Sequence, residues 1–557
     1  VGETATGKDA RKVALRAARI TAGIALLTLL TFVVFPGHTY LNSDTQIYVP
    51  ILERLNDPSV LARDMVAEHP HVSFTVYDEV TLALHRAGMD LETALVLQQA
   101  AFRALGLLGV WLVAAALGLT DGMAMLISAA LALGATIAGP TVLAIEYEPV
   151  PRGFALPLLL LAIGLAAHGR DLGAGIAASL AFLYHPPSVA GFWAVYFALS
   201  LWPSKPRVMS RRILGLAPLA AAAAMMLVLS RLQPPAAEPQ PFFGRISAEL
   251  ERIQRLRASY NWVSTWAAGW MPQYAFLWVA AMAAYTRVRK RAPQDLKFFL
   301  IGLPLLGILS APASYVLLER MKWVAAPQLQ PARALAFVTI MAALLAAAAG
   351  LMAAARGCWW EGALWLTLVY AIPMDASLLA VIESPVRLAV VAGLAALAAV
   401  AAWSDAKRFR WSPAALCAAM LLPFVLIPAW GGVPARSAAI APDMEALAEW
   451  ARTSTPPQAV FLFADAGKNV EPGVFRARAG RAIYVDWKGG GQANFLPHFA
   501  HEWWLRWNRT GAGRFKPWRL PAYRSWGIDY VVLHPEHRLQ GRTPVFENSS
   551  YLVYEPD

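Results

Sequence analysis

Three carboxylates interrupt an otherwise apolar chain in a pattern that chemistry can use. Asp44 lies in Tyr40-Leu41-Asn42-Ser43-Asp44-Thr45-Gln46-Ile47, and Glu146 and Glu148 lie in Glu146-Tyr147-Glu148-Pro149. Pro149 disfavours the helical region for Glu148, and Pro151 does the same for Val150. In an extended backbone, residues two apart share a side, so both glutamates point one way. Like charges held that close are costly unless a cation or a proton joins them. A divalent ion such as Mg or Mn, with Asp44, Glu146 and Glu148 as ligands, would satisfy them; so would Arg152. Each group also has an ordinary reading. Ser43 or Asp44 can cap a helix opening at Thr45, and the glutamates can belong to a solvated loop. Capping and chemistry compete for the same Asp44 oxygens, unless Ser43 takes the cap.

Cations stand near these acids. Arg152 opens an apolar helical run, where a positive charge opposes the helix dipole and calls for an anionic partner. Arg333 repeats that placement after Gln328-Leu329-Gln330-Pro331. Free helix amides with Arg333, Arg152 and Gln330 nearby make a phosphate site, against the ordinary reading of arginines reaching for an interface. His185, in His185-Pro186-Pro187, suits phosphate binding or proton transfer as well as a structural hydrogen bond. Asp375 lies inside an apolar run and must face the bundle or a wet cavity. His69 and His71 lack a metal-ligand spacing.

Apolar helices must position these groups. Of 557 residues, 58% are hydrophobic and 15% charged, against roughly a quarter charged in an average soluble protein. Apolar runs near twenty residues recur, each long enough for a hydrocarbon core of about 30 Å. About thirteen spans are expected, at 20–35, 94–117, 123–144, 154–167, 173–184, 189–201, 213–229, 274–285, 298–317, 335–351, 363–382, 388–402 and 413–430. The net charge of +12 sits in clusters at 11–19, 205–212, 287–291 and 407–410. All abut span ends on one side, as the positive-inside rule requires. The charge therefore reports topology rather than nucleic acid, and the expected setting is a bacterial-type inner membrane. Two cysteines, Cys358 and Cys417, are too few for a disulfide framework. Phe35-Pro36-Gly37-His38 offers no small-x-small cleavage site, so the first apolar run is read as a retained span.

With an inner N-terminus and an odd number of spans, the tail falls outside. The chain divides into a membrane domain, 1–430, and an extracytoplasmic α/β domain, 431–557. Within the former, an outer loop at 37–92 should carry helices at 45–55 and 74–85, with Asp90 capping the second span. A second outer loop, 233–272, should carry a helix near 247–259 and then Trp262, Trp266 and Trp270. In the tail, Asp443 should cap a helix to Arg452. Strand-like runs at 459–463, 482–486, 529–533 and 551–555 alternate there with helical stretches at 498–507 and 521–526.

This layout resembles the GT-C superfamily of membrane glycosyltransferases: a basic inner N-terminus, one span, and a long outer loop with an acidic residue near its start. Glu146-Tyr147-Glu148 is similar to the second acidic motif of oligosaccharyltransferase catalytic subunits. The tail lacks their Trp-Trp-Asp signature, which disfavours peptide N-glycosylation. The resemblance implies an inverting transfer of sugar from a polyprenyl-phosphate or pyrophosphate carrier to a glycan, lipid or protein acceptor. Asp44 would match the first-loop catalytic carboxylate. Glu146 and Glu148 would match acids that bind metal in some members and act without it in others. The rival reading is a non-catalytic subunit of a membrane complex, in which Asp44 only caps and the site is filled. A transporter is a weaker third, because no inverted repeat is visible.

Overall fold

The computed structural model describes residues 5–68, 76–137, 139–140, 142–232, 242–372, 385–406 and 435–556. Helix dominates the first four hundred residues. Five helices are long and apolar enough to cross a membrane: Asp9–Val33, Leu91–Ala116, Pro206–Leu229, Gln294–Arg320 and Ala326–Ala355. Shorter apolar helices, among them Asp121–Ala132, Pro151–Ala167, Asp171–Tyr184 and Pro186–Leu201, stand between them. The chain is a multi-pass helical membrane protein with a small C-terminal α/β domain.

The most apolar window of Ala326–Ala355 is wholly buried. Its run Ala346-Ala347-Ala348-Ala349 lets neighbouring helices approach, since without a hydrophobic drive in lipid close packing decides association. Leu91–Ala116 and Pro151–Ala167 pack closer still. A Cβ on Gly109 would come within 2.3 Å of the Leu161 amide nitrogen, so only glycine fits there. That contact fixes the helix Pro151–Ala167, whose first turn carries Arg152.

Every expected span up to 388–402 carries helix within its described residues (363–382 is described only to 372), but the third is cut short. Its helix ends at Ala132, and a hairpin follows: β1 (Thr136–Ile137) antiparallel to β2 (Val142–Leu143). Gly134 and Gly139 both adopt positive φ, a conformation that admits glycine freely and stops a helix. Hydropathy alone reads the apolar side chains of this hairpin as more helix. The span at 413–430, the boundary near 431, and Asp375, His69, His71 and Cys417 lie outside the described residues.

Both helices expected in the first loop form, as Thr45–Asn56 and Tyr77–Arg86. Asp90 accepts the Thr93 amide at 2.9 Å, as the cap requires. Ala248–Arg257 forms in the second loop, capped by Ser247. In the tail, Pro442–Ser454 is a helix, but Asp443 lies inside its first turn. It takes the hydroxyls of Ser549 and Ser550 instead of capping, because Pro442 already opens the helix.

The tail's sheet runs β4 (Ala482–Ile483), β3 (Val460–Phe463), β5 (Tyr530–Leu533), β7 (Leu552–Tyr554), β6 (Phe546–Glu547). β3 is parallel to β4 and β5, and β7 is antiparallel to β5 and β6. Loops leaving the carboxyl ends of parallel strands are where such sheets place ligands. The loop after β4 carries Asp486-Trp487-Lys488.

The three expected surface segments meet. Arg476, fully buried, lies between Asp64 of the first loop (2.8 Å) and Asp486. Asp64 also accepts the Ile483 amide of β4 at 2.9 Å. From the second loop, Gln254 donates to the Ala493 carbonyl at 3.2 Å. The soluble domain is thus seated on both loops, directly above the helix starts.

Candidate functional site

Asp44 occupies the N-cap position of Thr45–Asn56, yet its side chain makes no cap hydrogen bond. Glu148 supplies the acceptor from outside the helix. Its carboxylate takes the Ser43 amide at 2.5 Å, the Asp44 amide at 2.6 Å and the Thr45 hydroxyl at 3.1 Å. A carboxylate at a helix N-terminus meets both the orphan amides and the positive end of the dipole. Asp44 is left free for side-chain partners.

Those partners are cations. Arg152 donates from Nη1 to Asp44 Oδ2 at 2.6 Å and from Nε to Glu146 Oε2 at 2.8 Å. Lys488 donates to Asp44 Oδ1 at 2.6 Å and to the Ser43 hydroxyl at 2.7 Å. Arg152 thus has the anionic partners its helix-start position demands.

The Glu146–Pro149 segment is fixed through its carbonyls. Gln99 and Arg103 both donate to the Glu146 carbonyl, at 3.0 and 2.7 Å. The Thr39 amide donates to the Tyr147 carbonyl at 3.0 Å, and the Tyr77 hydroxyl to that of Pro149 at 2.8 Å. With the main chain held on every side, both glutamates are buried. The backbone bends at Tyr147 and Glu148, and it is this bend, not the alternation of an extended strand, that turns both side chains to the cavity.

These groups line a cavity of about 490 Å³ between the helix ends and the soluble domain. Its wall holds Asp44, Glu146 and Glu148 with Arg152, Arg257, Arg333 and Lys488; Tyr48, Tyr260, Trp266 and Trp270 add aromatic surface. Arg333 is 7% exposed, and its Nε and Nη1 meet no acceptor among the described residues. Its guanidinium lies 5.9 Å from the Tyr260 ring centre. Arg257 lies on the Trp487 ring at 4.5 Å and donates to the Lys488 carbonyl at 3.1 Å, leaving Nε without an acceptor. Buried guanidinium groups without acceptors are costly, and an anion entering the cavity would relieve them.

The acids respond unequally to this setting. Burial alone would raise the Asp44 carboxyl, but Lys488 and Arg152 outweigh it and hold Asp44 well below the usual carboxylate range. Burial pushes Glu148 up to about 7, with the Asp44 charge adding to the rise. Burial pulls the Arg257 guanidinium down.

Of the residues singled out in the sequence, Asp44, Glu146, Glu148, Arg152, His185 and Arg333 all line the cavity. Gln330 does not. It is 2% exposed in a left-handed turn, with both side-chain amide atoms lacking a partner among the described residues, and its carbonyl accepts the Arg333 amide at 3.0 Å. His185 caps Pro186–Leu201 through Nδ1, which accepts the Ser188 amide at 3.3 Å. Lys488, Arg257 and Tyr260 escaped the sequence reading. The signal for Lys488 was there: a lysine before Gly489-Gly490-Gly491, after a strand.

The three carboxylates do not fit a divalent ion. Both Asp44 oxygens and one Glu146 oxygen are taken by Arg152 and Lys488, and Glu148 is spent on two amides and a hydroxyl. Among the described residues no group of three or more His, Cys, Asp or Glu is disposed to hold a metal.

Residues 442–510 match the family model described as a domain of unknown function (DUF6798). The match spans β3, β4 and the Lys488 loop. No curated protein matches the chain. A solved structure, ArnT from Cupriavidus metallidurans in the apo state, aligns over 98% of each chain at 12% identity, with a TM-score of 0.43. That likeness is too slight to decide fold or function, so the functional reading stands on the site itself.

Proposed function

We propose that this protein is a membrane glycosyltransferase. It moves a sugar from a polyprenyl-phosphate-linked donor to an acceptor hydroxyl, on the face opposite the basic clusters, and inverts the anomeric centre. The observation that carries the reading is that Asp44, relieved of capping by Glu148, faces a cavity whose wall holds two arginines with unpaired nitrogens. In the transfer, the acceptor oxygen bonds to the anomeric carbon while the bond to the phosphate oxygen breaks. The electron pair leaves on the phosphate, and Asp44 accepts the acceptor's proton. Arg333 and Arg257 would stabilise the charge gathering on the phosphate, and the aromatic wall would face the sugar or the first isoprene units. Arg152 and Glu146 would orient Asp44. The Asp44 side chain, which makes no cap bond, and the open cavity beside it favour this reading over a non-catalytic subunit, in which Asp44 would cap and the site would be filled.

Asp44→Asn tests the reading. It keeps the side chain's shape and leaves the Glu148 cap intact, but it cannot accept a proton. Transfer from a lipid-linked donor should fall by about 10²–10⁴-fold, with the fold retained and a modest loss of melting temperature from the weakened pairs to Arg152 and Lys488. Parental rates in Asp44→Asn would overturn the proposal.

A further inference from the structure

We infer that Lys488 is a donor-triggered release for Asp44: its ammonium holds the carboxylate in the empty site and transfers to the donor phosphate when the lipid-linked sugar arrives. The inference rests on the glycosyl-transfer reading and adds a residue and an order of events to it.

The arrangement carries a contradiction that this release resolves. Both Asp44 oxygens are held by cations, Oδ2 by Arg152 and Oδ1 by Lys488. A carboxylate so compensated is a poor proton acceptor, because a base works best when its pKa lies near the operating pH. One cation must therefore leave before an acceptor hydroxyl can be activated. Arg152 is the poorer candidate, since its guanidinium also binds Glu146 at 2.8 Å and is 13% exposed. Among the described residues Lys488 makes no second ion pair: its other bond goes to the Ser43 hydroxyl, and Glu148, which feels its charge, is held instead by amides. It is a point charge on a flexible four-carbon stem.

The backbone beneath that stem is fixed. The Gly489 amide donates to Asp486 Oδ2 at 2.9 Å, and Asp486 is itself held by the buried Arg476. A Cβ on Gly490 would come within 2.3 Å of the Trp503 ring, so the loop packs against an immovable indole. Only the lysine side chain is left to swing. Its destination is beside it: Arg257 donates to the Lys488 carbonyl while its own Nε lacks an acceptor. A phosphate drawn to Arg257 and Arg333 would lie within the sweep of the ammonium. Once Lys488 joins it, Asp44 Oδ1 is open to the acceptor hydroxyl, so the donor must bind first.

Binding of a non-reactive donor mimic tests this with the full-length protein in detergent. The methyl diester of undecaprenyl phosphate keeps one negative charge, so its own titration does not enter. Lys488→Gln should weaken its binding by about tenfold, the worth of one charge-assisted hydrogen bond. Asp44→Asn should do the opposite and tighten binding, because it frees Lys488 from its competitor. In the Lys488→Gln background that gain should shrink, and the coupling measures the release. A purely structural Lys488 would weaken binding in both single variants. Equal affinity in Lys488→Gln and parent, or looser binding in Asp44→Asn, overturns the inference while leaving transfer by the parent untouched. No binding of the diester by the parent overturns it together with the donor assignment.

Discussion

Glu148 accepts the Asp44 amide at 2.6 Å across 104 residues of chain. One carboxylate therefore does the capping so that another need not. The glutamate belongs to a bent segment between the apolar helices Asp121–Ala132 and Pro151–Ala167, and the aspartate starts the helix Thr45–Asn56 of the first loop. Their contact registers the loop on the bundle.

Glu148 should therefore matter to stability more than Asp44 does. Glu148→Leu leaves the Ser43 and Asp44 amides without an acceptor, at about 1–3 kcal/mol for each buried group. Chemical denaturation of the detergent-solubilised protein should show a loss of that order in Glu148→Leu and a smaller one in Asp44→Asn, which keeps the cap and weakens only its pairs with Arg152 and Lys488. Equal losses would mean that the ion pairs of Asp44 stabilise the fold as much as the Glu148 cap does.

Arg333 makes the contrasting prediction. Its buried guanidinium has unpaired nitrogens, which costs the folded state. Arg333→Gln should leave stability unchanged or slightly raised, while undecaprenyl phosphate binding weakens by about tenfold or more, the scale of a charge-assisted contact. Arg333→Lys should restore little, because a point charge cannot replace a planar fork. Unaltered binding in both variants would remove Arg333 from the phosphate site.

How far the chain could be read in advance follows from which physics is local. Hydropathy located the helices because twenty apolar residues need no partner to announce a span. It failed at β1 and β2, where apolar side chains continue but Gly134 and Gly139 turn the backbone. Proline arithmetic kept Glu146 and Glu148 out of a helix, and helix-dipole reasoning required an anion for Arg152; both are properties of a few neighbouring residues. What held Asp44 was invisible for the opposite reason. Lys488 lies 444 residues away, on a loop whose position depends on a sheet docking over the membrane domain. For the glutamates the sequence left a metal and Arg152 both open, and Arg152, six residues from Glu146, does pair with it at 2.8 Å.

The docking itself rests on Arg476. Replacing it with Met leaves Asp64 and Asp486 as uncompensated buried carboxylates, a change that costs about 3–5 kcal/mol. The same change frees the Asp486 carboxylate that accepts the Gly489 amide at 2.9 Å, so the platform of Lys488 should loosen too. Arg476→Met should lower the unfolding midpoint markedly and increase proteolytic nicking in the loop after β4. A stable Arg476→Met variant with a protected loop would show that the two domains dock by other contacts.

The soluble domain carries its own pH signature. Beyond the carboxyl ends of β3 and β5, His534 Nδ1 pairs with Asp465 at 2.9 Å and Nε2 approaches Glu471 at 3.4 Å. His537 faces the other oxygen of Asp465 at 2.8 Å. The hydrogen bond to Asp465 and then that to Glu471 raise the His534 imidazole to about 10, against an opposing contribution from burial. A group whose pKa is raised on folding stabilises fully below its unfolded value and loses that contribution as pH climbs through the folded one. The window here runs from about 6.5, the ordinary histidine value, to about 10. Lysines and tyrosines titrate near the top of that window, so the informative quantity is the difference between parent and His534→Gln. The parent's melting temperature should exceed the variant's by most near pH 6, and the gap should close as pH rises towards 10. A gap that stays constant across the window would show that His534 is neutral in the folded domain and that its two acids are held by something else.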